Sequence, residues 1–267
     1  MLNARSVAVA NVHATAIVHA EAELGADVAV GPYAVIGANV TVGDGTVIGP
    51  HVVIERDTRI GEGCRVHAGA VLGGDPQDLK YGGEPSDLVI GDRTTIREFV
   101  TLNRGTAAKG RTEIGSDCLF MAYVHVAHDC VIGDHVILSN AVTMGGHVWI
   151  DDWAIVGGLT AIHQFARIGC HAFVGGAAAV QKDVPPYVTA AGNPLGLFRL
   201  NSLGLSRRGF PEPVVTELRR AYRLFFQSKL NVSQALERAG TELAPLPEVH
   251  RFLAFIGSSE RGVTVQR

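Results

Sequence analysis

VHATAIVHAEAELGADVAVGPYAVIGANVTVGDGTVIGPHVVIERDTRIGEGCRVHAGAVL, residues 12–72, repeats with a period of six. Stepping by six from Val12 lands on Val18, Leu24, Val30, Ile36, Val42, Ile48, Ile54, Ile60, Val66 and Leu72. The pattern resumes at Ile90, Ile96 and Leu102, then runs from Ile114 to Val180. All twenty-six positions are large and apolar. Two residues before nearly every one stands a small or β-branched residue, such as Ala16, Val28, Ala34, Thr46 or Cys64. Six residues are too few for a repeat containing a helix, but they suffice for one short strand and one corner, the signature of a parallel β-helix. Three hexads close one triangular coil, with the aliphatic and the small residue pointing inward. Glycine often follows the aliphatic, as at Gly25, Gly31, Gly37 and Gly43, and its conformational freedom predicts that it marks the tight corners. The repeat does not fix the handedness of the coil; ordinary parallel crossovers are right-handed.

The interruptions are as informative as the repeat. Residues 73–89 (GGDPQDLKYGGEPSDLV) and 103–113 (NRGTAAKGRTE) are polar and glycine-rich, so they are predicted to loop out from the prism, where functional residues concentrate. After Val180 the pattern stops, with Pro185, Pro186 and Pro194 at the exit. Beyond Pro211 the spacing becomes helical: Val214, Leu218, Tyr222 and Phe225 share a face, and further helices are predicted over about 232–239 and 248–256. The chain therefore divides into a mainly β domain, residues 1–190, and a small α-helical C-terminal domain, residues 191–267.

Composition agrees with this reading. Of 267 residues 47% are hydrophobic but only 6% aromatic, which suits a narrow core filled by aliphatic side chains. A formal net charge of -3 and the absence of a basic run point away from nucleic acid. Cys64, Cys118, Cys130 and Cys170 form no CxxC pair and read as buried thiols in a reducing compartment. The stretch Met1–His13 has no charged segment followed by an apolar run, so no signal peptide is expected. No apolar stretch reaches transmembrane length. A cytoplasmic protein with no integral membrane segment is the expectation.

Residues eighteen apart should lie one above another, about 4.8 Å apart. Val126, Met144 and Ile162 then form one column, and His125, His128, His147 and His163 converge on one edge of the prism, with Gly146 stacked between His128 and Gln164. Three readings of this cluster stand: surface histidines on a solenoid, a zinc site built from imidazoles of neighbouring coils, or a catalytic base with polar neighbours that position a substrate.

A resemblance enters with the motifs outside the repeat. His125-Val-Ala-His128-Asp129-Cys130, Gln77-Asp78-Leu79-Lys80-Tyr81 with Gly83-Glu84-Pro85, Asn103-Arg104-Gly105-Thr106, Gly146-His147, His163-Gln164-Phe165, Gly192-Asn193-Pro194 and Arg207-Arg208-Gly209-Phe210 occur in this order. Over nearly the whole chain they resemble the hexapeptide-repeat UDP-N-acetylglucosamine O-acyltransferases of lipid A biosynthesis. The resemblance implies a left-handed β-helix, a homotrimer, and transfer of a 3-hydroxyacyl group from acyl carrier protein to the 3-hydroxyl of UDP-N-acetylglucosamine, without cofactor or metal. It implies His128 as general base, Asp129 as its orienting partner and the Gly146 N–H as oxyanion donor. Substrate binding falls to Asp78, Lys80, His125, His147, His163 and Gln164, and nucleotide binding to Asn201, Arg207 and Arg208. Gly176 falls at the position associated with acyl length, and a glycine there implies an open groove and a longer chain. Leu203 departs from the pattern, which has an acidic residue near the nucleotide, and Asn103 stands where a histidine is common.

Without the resemblance, Arg207-Arg208 would read as a solvated basic turn, Lys80 as an exposed loop lysine and Asp78 as a turn residue. A related N-acyltransferase carries an extra N-terminal domain, for which hexads beginning at Val12 leave no room. An acetyl-CoA-dependent acetyltransferase does not account for the QDLKY loop and the helical C-terminus. A zinc carbonic anhydrase on the same repeat remains the rival from another class, and a purely structural solenoid leaves the histidines and loops without a role.

Overall fold

The computed structural model describes residues 10–265; residues 1–9, on which most of the signal-peptide reading falls, and 266–267 lie outside it. The chain winds as a left-handed parallel β-helix. Its faces are sheets of eleven, nine and eight strands, and each face takes every third strand in chain order. Plain coils pair residues eighteen apart, as in Ala29↔Val47, Val35↔Val53 and Thr41↔Arg59. Around the first insertion the step is 30, as in Leu72↔Leu102, and around the second it is 24, as in Leu102↔Val126. The strands flanking the insertions, Val71–Gly74, Asp87–Ile90, Thr101–Asn103 and Arg111–Ile114, run into the polar segments. The irregular stretches are therefore shorter than composition predicts, spanning 75–86 and 104–110.

The inward column is the core. From Val30 onward the aliphatic of each hexad is buried, together with the small residue two places before it. Phe120 is the only ring among the twenty-six repeat positions, and it is fully buried. Burying each Val, Ile or Leu side chain contributes about 1.5–3 kcal/mol, so the stack is held by many equal contributions rather than by one central cluster.

The glycines after the aliphatics have a different cause from the one expected. Gly31, Gly43 and Gly157 do not adopt positive φ. A Cβ on Gly31 would come 2.9 Å from the carbonyl carbon of Gly49, one on Gly43 2.6 Å from that of Gly61, and one on Gly157 2.4 Å from Gly176 N. Glycine is used there because successive coils touch backbone to backbone. The left-handed corner falls instead three residues after the aliphatic, at Asp27 (φ 57°), Tyr33 (59°), Asn39 (55°) and onward to Ala177 (54°). Most of these residues are not glycine.

The parallel stack ends at Val188–Ala191, which pairs antiparallel with Gly196–Leu200. Four helices follow: α1 (Ser202–Arg207), α2 (Glu212–Phe226), α3 (Val232–Glu242) and α4 (Pro247–Gly257). α1 is not legible from periodicity because six residues hold fewer than two turns. α2 buries Leu218 and Tyr222 as its spacing predicts, and adds Val215 and Ala221. The segment after α4 returns to the prism, where the buried Asp183 carboxylate accepts from Ser259 Oγ (2.7 Å) and Arg167 N–H (2.9 Å). No helix among the described residues is long and apolar enough to cross a membrane.

Candidate active site

The corner between the nine- and eight-stranded sheets carries Asp129, His147 and Phe165 on successive coils, all at positive φ. His128 precedes this corner by one residue. Its Nδ1 lies 2.7 Å from Asp129 Oδ2, so an Nδ1–H donated to the carboxylate leaves Nε2 with a free lone pair. Asp129 is buried. Burial alone would raise its pKa, but hydrogen bonds from His128 and from the hydroxyl and N–H of Thr106 outweigh this and hold the carboxyl below its usual value. A fixed anion therefore sits behind His128.

His147 flanks the pair. Its ring meets that of His128 edge-on at 5.2 Å, its Nε2 is 3.7 Å from Asp129 Oδ2, and Phe165 stacks on its other side at 4.5 Å. Burial is the main cause that lowers its pKa; Asp129 and Asp78 oppose it, while His128 and Lys109 reinforce it. Gly146 lies against the His128 ring: a Cβ there would fall 2.5 Å from Cε1. Gly145 N–H bonds to Ile162 O and His147 N–H to His128 O, whereas among the described residues the Gly146 N–H has no protein acceptor. That leaves a backbone donor beside the imidazole.

Of the four histidines gathered by spacing, His128 and His147 are in ring contact. His125 points outward from the strand His125–Val126 and bonds to Thr101 Oγ1 at 2.7 Å, and burial lowers its pKa. His163 is exposed, with Nδ1 2.9 Å from Gln164 O and 3.2 Å from Arg261 Nη2. The four occupy different places in their hexads, and each step around a corner turns the side chain to a new direction. Gln164 is exposed beside Gly145.

His128, Asp129 and His147 offer donor atoms within 4.8 Å of one another, a spacing a zinc ion could bridge. His128 Nδ1 is however committed to Asp129, and a catalytic zinc site also requires an open coordination position. The arrangement suits a hydrogen-bonded base better. The four cysteines are free and buried. Burial pushes Cys118 up to about 11 and Cys130 to about 12, so neither supplies a thiolate nucleophile at neutral pH.

The first insertion approaches this corner. Asp78 caps a turn by accepting from Lys80 N–H at 3.0 Å, and Lys80 itself is exposed. The loop is anchored by Arg104, fully buried in the second insertion, which bonds to Gly73 O, to Asp75 and, at 3.2 Å, to Tyr81 Oη. Asn103, at the position where a histidine is common, is also buried and donates to Asp75 O at 2.7 Å.

The remaining predicted residues lie elsewhere. Asn201, Arg207 and Arg208 line a cavity of about 780 Å³ with Arg199, Arg219 and Arg223, over a floor of Ile155 and Phe173 on the eleven-stranded sheet. Asn201 caps α1 by accepting from Gly204 N–H and donates to His171 O. The Arg208 guanidinium lies 5.1 Å over the Trp153 ring. Leu203 is exposed at the rim, where the family pattern has an acidic residue. Gly176 packs on the coil below, where a Cβ would come 3.0 Å from Gly158 O. Motif reading singled out neither the direct role of Thr106 on Asp129 nor Arg199, Arg219 and Arg223. The Asn103–Thr106 motif contained the first, and the (i, i+4) spacing of Arg219 and Arg223 on α2 was a signal for the others.

Comparison with known proteins follows the same lines. Residues 183–264 match the family profile described as Udp N-acetylglucosamine O-acyltransferase, domain 2, and residues 21–56, 39–74 and 111–146 match the bacterial transferase hexapeptide repeat. The acyl-acyl-carrier-protein–UDP-N-acetylglucosamine O-acyltransferase of Myxococcus xanthus is 52% identical over 256 residues, covering 96% of this chain and 99% of the relative. The Chlorobaculum parvum protein of the same name is 54% identical over 253 residues, covering 94% and 96%. Among solved structures, LpxA from Acinetobacter baumannii superposes with a TM-score of 0.93 at 43% identity, over 95% of this chain and 99% of that one. A UDP-N-acetylglucosamine acyltransferase from Bacteroides fragilis gives 0.93 at 43%, over 94% and 98%.

Proposed function

The chain belongs to the UDP-N-acetylglucosamine O-acyltransferase family, and from that premise we propose that it transfers a 3-hydroxyacyl group from acyl carrier protein to the 3-hydroxyl of UDP-N-acetylglucosamine, at the start of lipid A synthesis in the cytoplasm. The observation that carries the mechanism is the His128–Asp129 pair at 2.7 Å with its carboxylate buried.

His128 Nε2 takes the proton of the sugar hydroxyl as its oxygen attacks the thioester carbonyl. The imidazolium so formed is stabilised by Asp129, which also fixes the ring and its tautomer. Negative charge collects on the carbonyl oxygen, where the free Gly146 N–H is the donor at hand. Collapse of the tetrahedral intermediate re-forms the carbonyl and breaks the C–S bond. The departing thiolate of the carrier takes the proton back from His128. No acyl-enzyme forms, and no cysteine, metal or cofactor has a part.

Binding is divided between two places. The family resemblance assigns Asp78, Lys80, His125, His147, His163 and Gln164 to the sugar and the donor; the ring contact of His147 with His128 at 5.2 Å supports this for His147. Asn201, Arg207 and Arg208 hold the nucleotide, guanidinium forks matching phosphate oxygens. Within one chain the base corner and the arginine cavity lie on different sides of the prism. A complete site therefore requires the cavity of one copy to face the corner of another, which is the basis for a homotrimer; a monomeric mass in solution with full activity would overturn it. Gly176 sets acyl length by leaving the groove open.

The test is direct. Incubation with UDP-N-acetylglucosamine and 3-hydroxyacyl carrier proteins of several lengths yields acylated sugar nucleotide, with a preference that Gly176→Met moves to shorter chains. Failure to form product with any donor would sink the reading, and stoichiometric zinc in the purified protein would favour the metal alternative.

A further inference from the structure

We propose that Thr106, on the second insertion, is a positioning residue that sets the proton affinity of the His128–Asp129 pair, an inference that rests on the acyl-transfer reading above. Thr106 is buried and binds both oxygens of Asp129: its N–H donates to Oδ1 at 3.0 Å and its hydroxyl to Oδ2 at 2.7 Å. Oδ2 is the same oxygen that faces His128 Nδ1. The Thr106 hydroxyl and the imidazole therefore share one acceptor, and what Thr106 donates decides how much negative charge remains for His128.

The residue is held for this task from three sides. Its hydroxyl also accepts from Ala108 N–H at 3.2 Å, and its carbonyl accepts from Gly110 N–H at 2.7 Å, so the turn over 106–110 leaves the O–H proton directed at Asp129. Glu84 of the first insertion accepts from Ala107 N–H at 3.0 Å and from Gly82 N–H at 2.8 Å. The backbone bond from Ala107, ahead of those within its own loop, keeps the Glu84 carboxyl below its usual value. Before Thr106, a Cβ on Gly105 would fall 2.3 Å from Arg111 N, so only glycine lets the loop pass close enough. A path thus runs from the insertion carrying Asp78 and Lys80 by hydrogen bond from Glu84 to Ala107, through the peptide bond to Thr106, and by hydrogen bonds on to Asp129 and His128. The regular coils contain no equivalent, since Thr106 belongs to neither strand of the repeat.

The consequence has a sign. Removing the hydroxyl takes one donor from Oδ2. The carboxylate then binds its imidazolium more tightly, so His128 releases its proton less readily, and the acid limb of the pH–rate profile moves to higher pH. The other charged groups facing the pair are His147, Asp78, Glu84 and Lys109; none changes in the substitution.

Thr106→Val keeps the shape and removes the donor; Thr106→Ser keeps the donor. The acid limb of kcat/KM moves upward in Thr106→Val, kcat falls roughly 10-fold, as for loss of outer-shell support elsewhere, and KM for both substrates stays within about twofold. Thr106→Ser restores both readouts. If Thr106→Val does not fold, Thr106→Ala, which needs no new space, replaces it. An unmoved acid limb, a loss confined to KM or to thermal stability, or a Ser variant as impaired as Val would overturn the inference. Wild-type turnover and its loss in His128→Ala are run beside it: if those fail, the acyl-transfer reading falls and the inference with it, whereas intact turnover with an unmoved acid limb in Thr106→Val overturns the inference alone.

Discussion

Two corners of the prism present the same residue types on the same backbone. One carries Asp129, His147 and Phe165 with His128 beside it; the other carries His135, Trp153, His171 and Tyr187, stacked ring on ring. Every one of these corner residues has φ between 54° and 65°. What separates them is charge. At the first, a buried carboxylate backs His128 at 2.7 Å. At the second, burial first and then the neighbouring Arg208 and Arg251 push His171 down to about 4. A histidine in that surrounding is a neutral flat ring at pH 7, fit for stacking and for accepting a hydrogen bond from Arg208 at 3.3 Å. The partner, rather than the imidazole, makes a base.

Substitutions at the two corners should differ in kind. His128→Ala has the largest expected effect, a loss of about 10²–10⁴-fold in kcat; an equal loss from His171→Ala would erase the distinction between corners. Asp129→Asn leaves room for a hydrogen bond but gives His128 the wrong tautomer, and should cost no more than His128→Ala, up to about 10⁴-fold, as for the orienting carboxylate in serine proteases. Gly146→Ala drives a methyl toward the ring of His128, and displacement of the base should lower kcat by ~10-fold or more with KM little changed. His171→Gln is the smallest and concerns stability. His171 has a depressed folded pKa, so as pH falls from about 6.5 toward about 4 the unfolded chain takes up a proton that the folded one refuses, and stability is lost. The variant should escape that loss. Its thermal midpoint should fall less than that of wild type between pH 7 and pH 5, by roughly 2–4 °C, after allowance for screening at a half-exposed site. Identical pH dependence would remove His171 from the account.

The same contrast explains what the sequence discloses. The inward column is legible because one physical demand, filling a narrow core, repeats at every sixth residue from Val12 to Val180. Glycine, the usual sign of positive φ, does not mark most corners of this chain. Here the corner position holds Asp27, Tyr33, Asn39, His51 or Trp153, and from Asp27 to Ala177 it is never valine, isoleucine or threonine. Exclusion of β-branched residues, which tolerate positive φ least, was the available signal. Stacking arithmetic brings His128, Gly146 and His147 together, but it gives a neighbour's height and not the direction of its side chain, so it does not show which of the four histidines touch. The acidic partner was visible only as the next residue in line, and the Thr106 clamp only as part of a motif, since both depend on how an irregular loop folds back. The arginines of the cavity come from a strand, two helices and the turn between them, which no single periodicity links.

The stack of coils also has consequences in time. Each coil touches only the one before and the one after, as in a one-dimensional array whose units open from the ends. At the N-terminal end Asn11–Val12 and Ile17–Val18 are largely exposed, whereas Val126, two residues from the base, is fully buried within the stack. The helices and the returning segment after α4 close the opposite end, tied down through Asp183 and Arg167. Amide protons should therefore exchange with solvent along a gradient, fastest in the first coils and slowest around Val126 and Ile150. Fraying would travel inward from the N-terminal end and reach the proton-transfer geometry last, so the enzyme can breathe at one end for long periods without losing a turnover.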